Sequence, residues 1–428
     1  MSGLSFLSFP LIGMITPVLV MLVTMVTIFV ILVSMESTEG FASNDYTTEP
    51  EHQKQVALLA KTFRPFANAK RPVADLVANN GMPVEQQCFV NFFALGCRYT
   101  GYIGPMKEGY MSPDIAVQSA VQAGCRVFVL DIDYLDDCGT PYMPRIVVRD
   151  VQNKLQIKRS SDLPFCPTAD QSNLRTVCEK IQYYAFSDEC QQSTDPIVIV
   201  LYFLRKPPGS ESSMTVLNYF SQVAKALAPF KNRLLNNELE GGSFYRQQQE
   251  SRLLINNITT YKGRVLVFSN ANTSGFRKVT TFSPAEDLDY MVNLRLTYTQ
   301  TALGITQNES SSFGVLETAE NFTVIPSDRV EDVAQNTKMR WTICLPKDPM
   351  TSVSKDTFTR ITKEFGVHCI PMAIFEPHPH LFTETLFKTY GFAAKPPPLR
   401  YIKPPVVVPG VPNVSTDAKG GKLRAPTM

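Results

Sequence analysis

The residues best suited to chemistry are acids gathered in one short stretch, LDIDYLDDC, which holds Asp131, Asp133, Asp136 and Asp137. Carboxylates at that density suit a hard cation, whose ligands are oxygens. A solvated acidic loop is the commoner use of such a run. A second candidate is His378-Pro-His380 beside Glu376, two imidazoles and a carboxylate that could clip a metal, with no clear third or fourth partner for the histidines. Imidazoles are scarce: there are four histidines, at 52, 368, 378 and 380, so proton transfer near neutral pH has few groups to draw on. Nine cysteines make an odd count with no C-x-x-C pair. Cys138, Cys166, Cys178 and Cys190 fall in or beside predicted loops and are open to pairing, with free thiols an equal alternative.

The acids follow a strand, and the strand follows a helix. Ile115 to Ala123 carries Ile115, Val117, Ala120 and Val121 on a mixed apolar surface, and Gly124 suits a left-handed C-terminal position. Val127 to Ile132 is then apolar but for Asp131, with β-branched and aromatic residues that fit a buried strand. Helix, Gly and buried strand make one repeat of an α/β protein. In a barrel of such repeats the C-terminal ends of the strands hold the chemistry, which is where Asp131 and Asp133 stand.

The stretch AVQAGCRVFVLD (120–131) resembles the "AL..GCR..ELD" signature of the phosphatidylinositol-specific phospholipase C-like phosphodiesterase superfamily. VCEKIQYYAF (177–186), DPIVIVLYFL (195–204), and FGVHCIPM (365–372) with GFAAKPPPLR (391–400) resemble its later motifs in the same order. The resemblance covers 84–401 and implies an α/β fold, a distorted TIM (β/α)8 barrel, here preceded by one transmembrane helix. It also implies a reaction. One histidine deprotonates the inositol 2-hydroxyl, a second neutralises the cyclising phosphate, and in eukaryotic members calcium on carboxylates and an asparagine supports both.

Position by position, this chain departs from that set. The first strand ends GCRYTGY, so Arg98 (or Cys97, with a slip of one) stands at the first histidine's place and Tyr99 at the asparagine's. Val129 replaces a calcium-binding glutamate while Asp131 keeps the acidic partner; Arg149 and Asp150 stand where the family has His-Gly, and Tyr202 where it has a further glutamate. A guanidinium stays protonated and is no substitute base. The expectation is therefore a catalytically degenerate barrel, a pseudoenzyme with no cofactor and most calcium ligands lost, acting as a binding or structural module. The alternative is a divergent active phosphoric diester hydrolase on a phosphoinositide or another phosphodiester, with Asp131 and the C-terminal histidines recruited. Arg98 and Arg149 could clasp a phosphate at the barrel mouth, or pair with Asp131, Asp133 or Asp150 as a structural network, which is the favoured use. Asp131 and Asp133 are the metal candidates.

The 428 residues, 44% hydrophobic, suffice for one large barrel with accessory segments, and a net charge of +2 without a basic, aromatic-laced stripe argues against nucleic acid. Met1 to Met35 holds no charged side chain, and residues 11–34 exceed the about 20 apolar residues that span a bilayer. An uncleaved single-pass anchor over 1–35 is expected, with a stalk over 36–83, the barrel over 84–402 and a Pro-rich disordered tail over 403–428. The acidic flank after the anchor and sequons at Asn257, Asn272, Asn308, Asn321 and Asn413 favour a glycosylated body on the exoplasmic side. The implied partners are the lipid bilayer and an anionic lipid headgroup. Display at a membrane or virion surface suits this layout, because such barrels also occur, by resemblance, in large viruses.

The remaining strands are expected at Cys88–Leu95 (first), Arg145–Val151 (third), Ile197–Leu204 (fourth), Arg264–Ser269, Trp341–Leu345 and Val367–Phe375. Helices are expected at Leu174–Phe186, Met214–Leu235 (with Pro229 as a kink or end) and Lys355–Glu364, and a modest helical patch at Val56–Phe66. Residues 281–336 are polar and irregular and place no element.

Overall fold

The computed structural model describes Met25 and residues 49–66, 69–134, 142–157, 174–235, 253–279, 281–298, 314–348, 351, 353–375 and 386–404. The expected anchor over 1–35 (apart from Met25), most of the tail, Asp136, Asp137, Cys138, Cys166, Glu376, His378 and His380 lie outside the described residues. Among the described residues no helix is long and apolar enough to cross a membrane.

In chain order the main elements are α1 (Pro50–Phe63), α2 (Val73–Asn79), β1 (Phe92–Ala94), β2 (Gly96–Arg98), α3 (Pro113–Ala123), β3 (Val127–Tyr134), β4 (Pro144–Ile146) and α4 (Leu174–Ala185). They continue with β5 (Ile197–Phe203), α5 (Met214–Ala226), β6 (Val265–Ser269), α6 (Leu288–Met291), β7 (Leu294–Tyr298), β8 (Gly314–Thr318) and α7 (Ala319–Thr323). The last are α8 (Val330–Met339), β9 (Trp341–Leu345), α9 (Lys355–Lys363), β10 (Met372–Ala373) and β11 (Phe392–Ala394). Eight strands run parallel in the order β10-β2-β3-β5-β6-β7-β8-β9. A parallel bridge between Ile343 of β9 and Cys369, three residues before β10, links the two ends of this path. The curled sheet is TIM-like.

The pattern of β3 shows why the sheet curls around a core. Val127 and Val129 point inward to Val198, Val200, Leu266, Phe268, Trp341 and Ile343. Phe128, Leu130 and Ile132 point outward to helix residues such as Val117, Ala120 and Val223. A strand covered on both faces reads as continuous apolar sequence. Ahead of it, Gly124 closes α3 at φ 94°, and Cys125 N–H reaches back to Ala120 O at 2.9 Å, the bond of a left-handed helix stop. Across the N-terminal ends of the strands lies a floor, the turn Phe89–Asn91 with the antiparallel pair β1–β11.

Several expectations are corrected. The first strand expected over Cys88–Leu95 is a 3-10 turn followed by β1, and the barrel strand proper is the short β2 after it. Arg145–Val151 is no barrel strand: β4 pairs antiparallel with β3 off the main path, so Ile197–Phe203 is third rather than fourth. The helix from Met214 stops at Ala226, and Pro229 sits in a separate 3-10 turn, as its missing N–H requires. The closing strand shrinks to β10. Residues 281–336, which placed no element, supply α6, β7, β8, α7 and α8. The segment expected as a stalk is docked on the body: His52, Gln55, Leu59 and Phe63 form one buried stripe along α1, and Val73, Leu76 and Val77 another on α2.

Candidate functional site

Alternation along β3 carries Asp131 and Asp133 onto the inner face used by Val127 and Val129, one level apart at the C-terminal mouth. Alternation along β2 likewise turns Cys97 out toward the helices and leaves Arg98 inward. Arg98 Nη2 donates to Asp131 Oδ1 at 2.9 Å and Nε to the same oxygen at 3.2 Å. Both side chains are buried, at 4% and 2% exposure. The guanidinium carbon lies 4.9 Å from the Tyr99 ring centroid and 5.6 Å from that of Tyr202, so aromatic faces wall the cation. Burial pushes the Asp131 carboxyl up and the Arg98 charge pulls it back; Arg98, although burial opposes its charge, is held above the ordinary arginine range by Asp131. Its Nη1 has no hydrogen-bond partner among the described residues. Tyr99 takes φ 55°, a left-handed conformation that asparagine adopts readily and tyrosine rarely.

The second level is Asp133, fully buried between two arginines. Arg149 Nε donates to Oδ2 at 2.6 Å, Arg205 Nε to Oδ1 at 2.8 Å, and Tyr134 N–H also to Oδ1 at 2.8 Å. Arg149 also donates to Asn153 O, and Arg205 to Tyr134 O at 2.8 Å. Asp150 takes no part in this group: its carboxylate caps its own turn through Gln152 N–H and Lys154 N–H at 2.9 and 2.8 Å.

Arg98 and Arg149 thus each hold a carboxylate, and an incoming phosphate would compete with one at both positions. The metal candidates are committed to the same arginines. Around Asp131 the facing side chains are Arg98, Tyr99 and Tyr202 rather than further acids, and among the described residues no three His, Cys, Asp or Glu side chains converge for a metal. This donor set does not fit calcium, which takes six to eight oxygens.

His52 packs edge-on against Tyr110, ring centroids 5.2 Å apart, on α1. His368 lies at the opposite end of the barrel beside the start of β9: Thr342 N–H donates to Nδ1 at 2.9 Å, which puts the ring proton on Nε2, facing Val90 O and Lys395 Nζ, each at 2.8 Å. Burial first, and Lys395 second, hold the His368 imidazole well below the usual histidine range, and burial likewise depresses the Lys395 ammonium. The unfolded chain takes a proton on this ring near pH 6.5 while the folded chain keeps it neutral, so the contribution of His368 to stability is present above that pH and lost as pH falls. Wild type compared with His368→Gln should therefore lose stability progressively from pH 7 to pH 5 in urea unfolding. A gap that widens in the other direction contradicts the buried neutral ring.

No protein-family model matches the chain, and no curated protein sequence matches it. Solved structures do. PLC21 from L. pealei is 13% identical with a TM-score of 0.49, over 75% of this chain and 40% of that protein; PLC21 from S. officinalis is 12% identical at 0.47, over 76% and 40%. The chain thus spans two fifths of the length of these two proteins. A calcium-dependent phosphoinositol-specific phospholipase C from Pseudomonas sp. is 10% identical at 0.42, over 73% of this chain and 96% of its own. A glycerophosphodiester phosphodiesterase from Parabacteroides distasonis is 10% identical at 0.34, over 68% and 97%.

The mouth also contains a residue that sequence reading missed. Arg205 follows the last residues of β5, and its signal was position: a cation just past a barrel strand stands where Asp133 ends β3.

Proposed function

We propose that this chain is a membrane-anchored barrel of the phospholipase C-like phosphodiesterase type that has lost acid–base catalysis and serves as a binding or structural module at a membrane or virion surface. The observation that carries the reading is the buried Arg98–Asp131 pair at the mouth. Proton abstraction needs a group that titrates near neutrality, and a guanidinium tied to a carboxylate is a fixed charge. The same cation sits against the one carboxylate a calcium ion would use. The uncharged apolar run over residues 11–34 supports the anchor, and the acidic residues after it support a body on the exoplasmic side. An anionic lipid headgroup remains the partner class for the mouth arginines.

Two measurements on the full chain test this. Alkaline washing should leave the chain in membranes and release a variant lacking residues 1–35; release of the full chain sinks the anchor. Millimolar calcium should leave the unfolding temperature unchanged, whereas a rise of about 2–4 °C would reveal a cation site.

A further inference from the structure

A furrow crosses the C-terminal end of α4 at the floor end of the barrel, opposite the mouth. On one side of the helix a cavity of about 510 Å³ opens toward α3. On the other a cavity of about 660 Å³ opens toward the 3-10 turn Ala228–Phe230. Tyr183, Ser187 and Asp188 line both. Tyr183 stands between them at 68% exposure, edge-on to Tyr184 with ring centroids 5.0 Å apart. The rim is acidic: Asp188 and Glu189 are exposed and have no ion-pair partner among the described residues. The cations lining the furrow are engaged, Arg175 with Glu179 at 2.9 Å and Lys70 Nζ with Phe387 O and Lys388 O at 2.6 and 3.2 Å.

The chain itself carries a segment of matching chemistry. Residues 404–412 read PPVVVPGVP, with a P-x-x-P unit at Pro409 to Pro412, and Lys419, Lys422 and Arg424 follow against a single acid, Asp417. Such a sequence favours the extended polyproline II helix, which docks on grooves walled by aromatic side chains. Its basic end complements an acidic rim. The exit point is at the same end of the barrel. Tyr401 N–H donates to Asn91 Oδ1 at 2.6 Å and Lys403 N–H to Glu85 O at 3.3 Å, which fixes the last described residues at the floor. From Glu85 the way to the furrow runs back along α2 to Val73, whose N–H donates to Asp195 Oδ1 at 2.7 Å, and on to Gln192 at the cavity wall. That path is about 40 Å long, and the 24 residues after Pro404 reach about 75 Å in polyproline II form.

We propose that the Pro-rich tail, residues 405–424, turns back on the body of its own chain and lies along this furrow, its prolines against Tyr183 and its lysines toward Asp188 and Glu189. A tethered segment needs little intrinsic affinity, because the linkage holds it at a high effective concentration. Prolines also bring less conformational freedom to lose on docking than ordinary sequence does. The docked tail lies at the floor and leaves the mouth untouched.

The test mixes equal amounts of ordinary and isotopically heavy full chain in detergent and adds a carbodiimide that joins lysines directly to touching carboxylates. Peptide mass spectrometry should find Lys419 or Lys422 joined to Asp188 or Glu189 about tenfold more often than to the exposed acids Glu331 on α8 and Asp356 on α9. Both joined peptides should carry the same isotope. Equal yields at all of these acids overturn the proposal, and joins between ordinary and heavy chains overturn it in favour of a second copy. Tyr183→Ala, at a side chain mostly in solvent, should lower the joined fraction about fivefold; an unchanged fraction overturns the placement on this furrow. Hydrogen exchange gives a reading without a cross-linker. Amides of residues 183–193 should exchange about threefold faster in a chain ending at Pro404 than in the full chain. Identical exchange means that the tail does not cover the furrow and overturns the proposal.

Discussion

Replacing Asp131 with alanine should lower the stability of the barrel by about 3–5 kcal/mol. The reason is the state in which it leaves Arg98. In the intact chain the guanidinium gives Nε and Nη2 to the Asp131 carboxylate, while Nη1 already lacks a partner among the described residues. Removing the acid strands a full positive charge at 4% exposure, against the faces of Tyr99 and Tyr202. The pair as a whole is a different matter, because taking two charges out of water consumes most of their mutual attraction. Arg98→Met combined with Asp131→Leu should therefore recover most of the loss. Trp341 is the sole tryptophan and lies inside the barrel, so its fluorescence in urea reports the unfolding. A loss under about 1 kcal/mol for Asp131→Ala, the range of a solvated surface pair, would mean that the mouth is open to water and that the pair does not seal it.

How legible this was from sequence depends on the element. The α3–Gly124–β3 unit was plain, because helix spacing, a glycine stop and an apolar run agree on one structure. Arg145–Val151 misled because RIVVRDV has strand composition, and composition carries no information on whether a strand joins a barrel or folds back antiparallel on its neighbour. The docking of α1 on the body, though not its helical patch, was hidden by its own chemistry. Two of its four inward positions are His52 and Gln55, so the buried stripe reads as polar until the contacts with the body are seen. β7 was lost because Leu294 and Leu296 alternate with exposed Arg295 in a stretch of otherwise polar sequence. At the site, position at the end of β3 pointed to Asp131 and Asp133, while Arg98 and Arg149 were singled out through the resemblance alone, Arg149 lying beyond the end of β4. Their partners needed the register between β2, β3 and β5, and so did the entry of Arg205.

Trp341→Ala should cost about 3–5 kcal/mol as well, by a separate route. The indole fills the lower half of the barrel interior at 1% exposure, edge-on to Phe268 with ring centroids 4.9 Å apart and stacked on His368 at 5.9 Å. The two ends of the sheet are tied through the Ile343–Cys369 bridge, so the strands cannot move freely onto the space left behind and most of the lost volume stays as cavity. The loss should appear in urea unfolding followed by circular dichroism, and Trp341→Phe should restore about half of it. A change below about 1 kcal/mol would mean that the strands close in, and that β9 is not held in the ring.

Turnover decides whether the mouth is inert. Full-length chain incubated with phosphatidylinositol vesicles, and with a glycerophosphodiester, should release no cyclic inositol phosphate or other phosphate product above the protein-free background, with or without calcium. Product formation that disappears in Arg98→Ala, His378→Ala or His380→Ala would contradict the reading, because it would put a working proton-transfer group where the present account has a fixed ion pair.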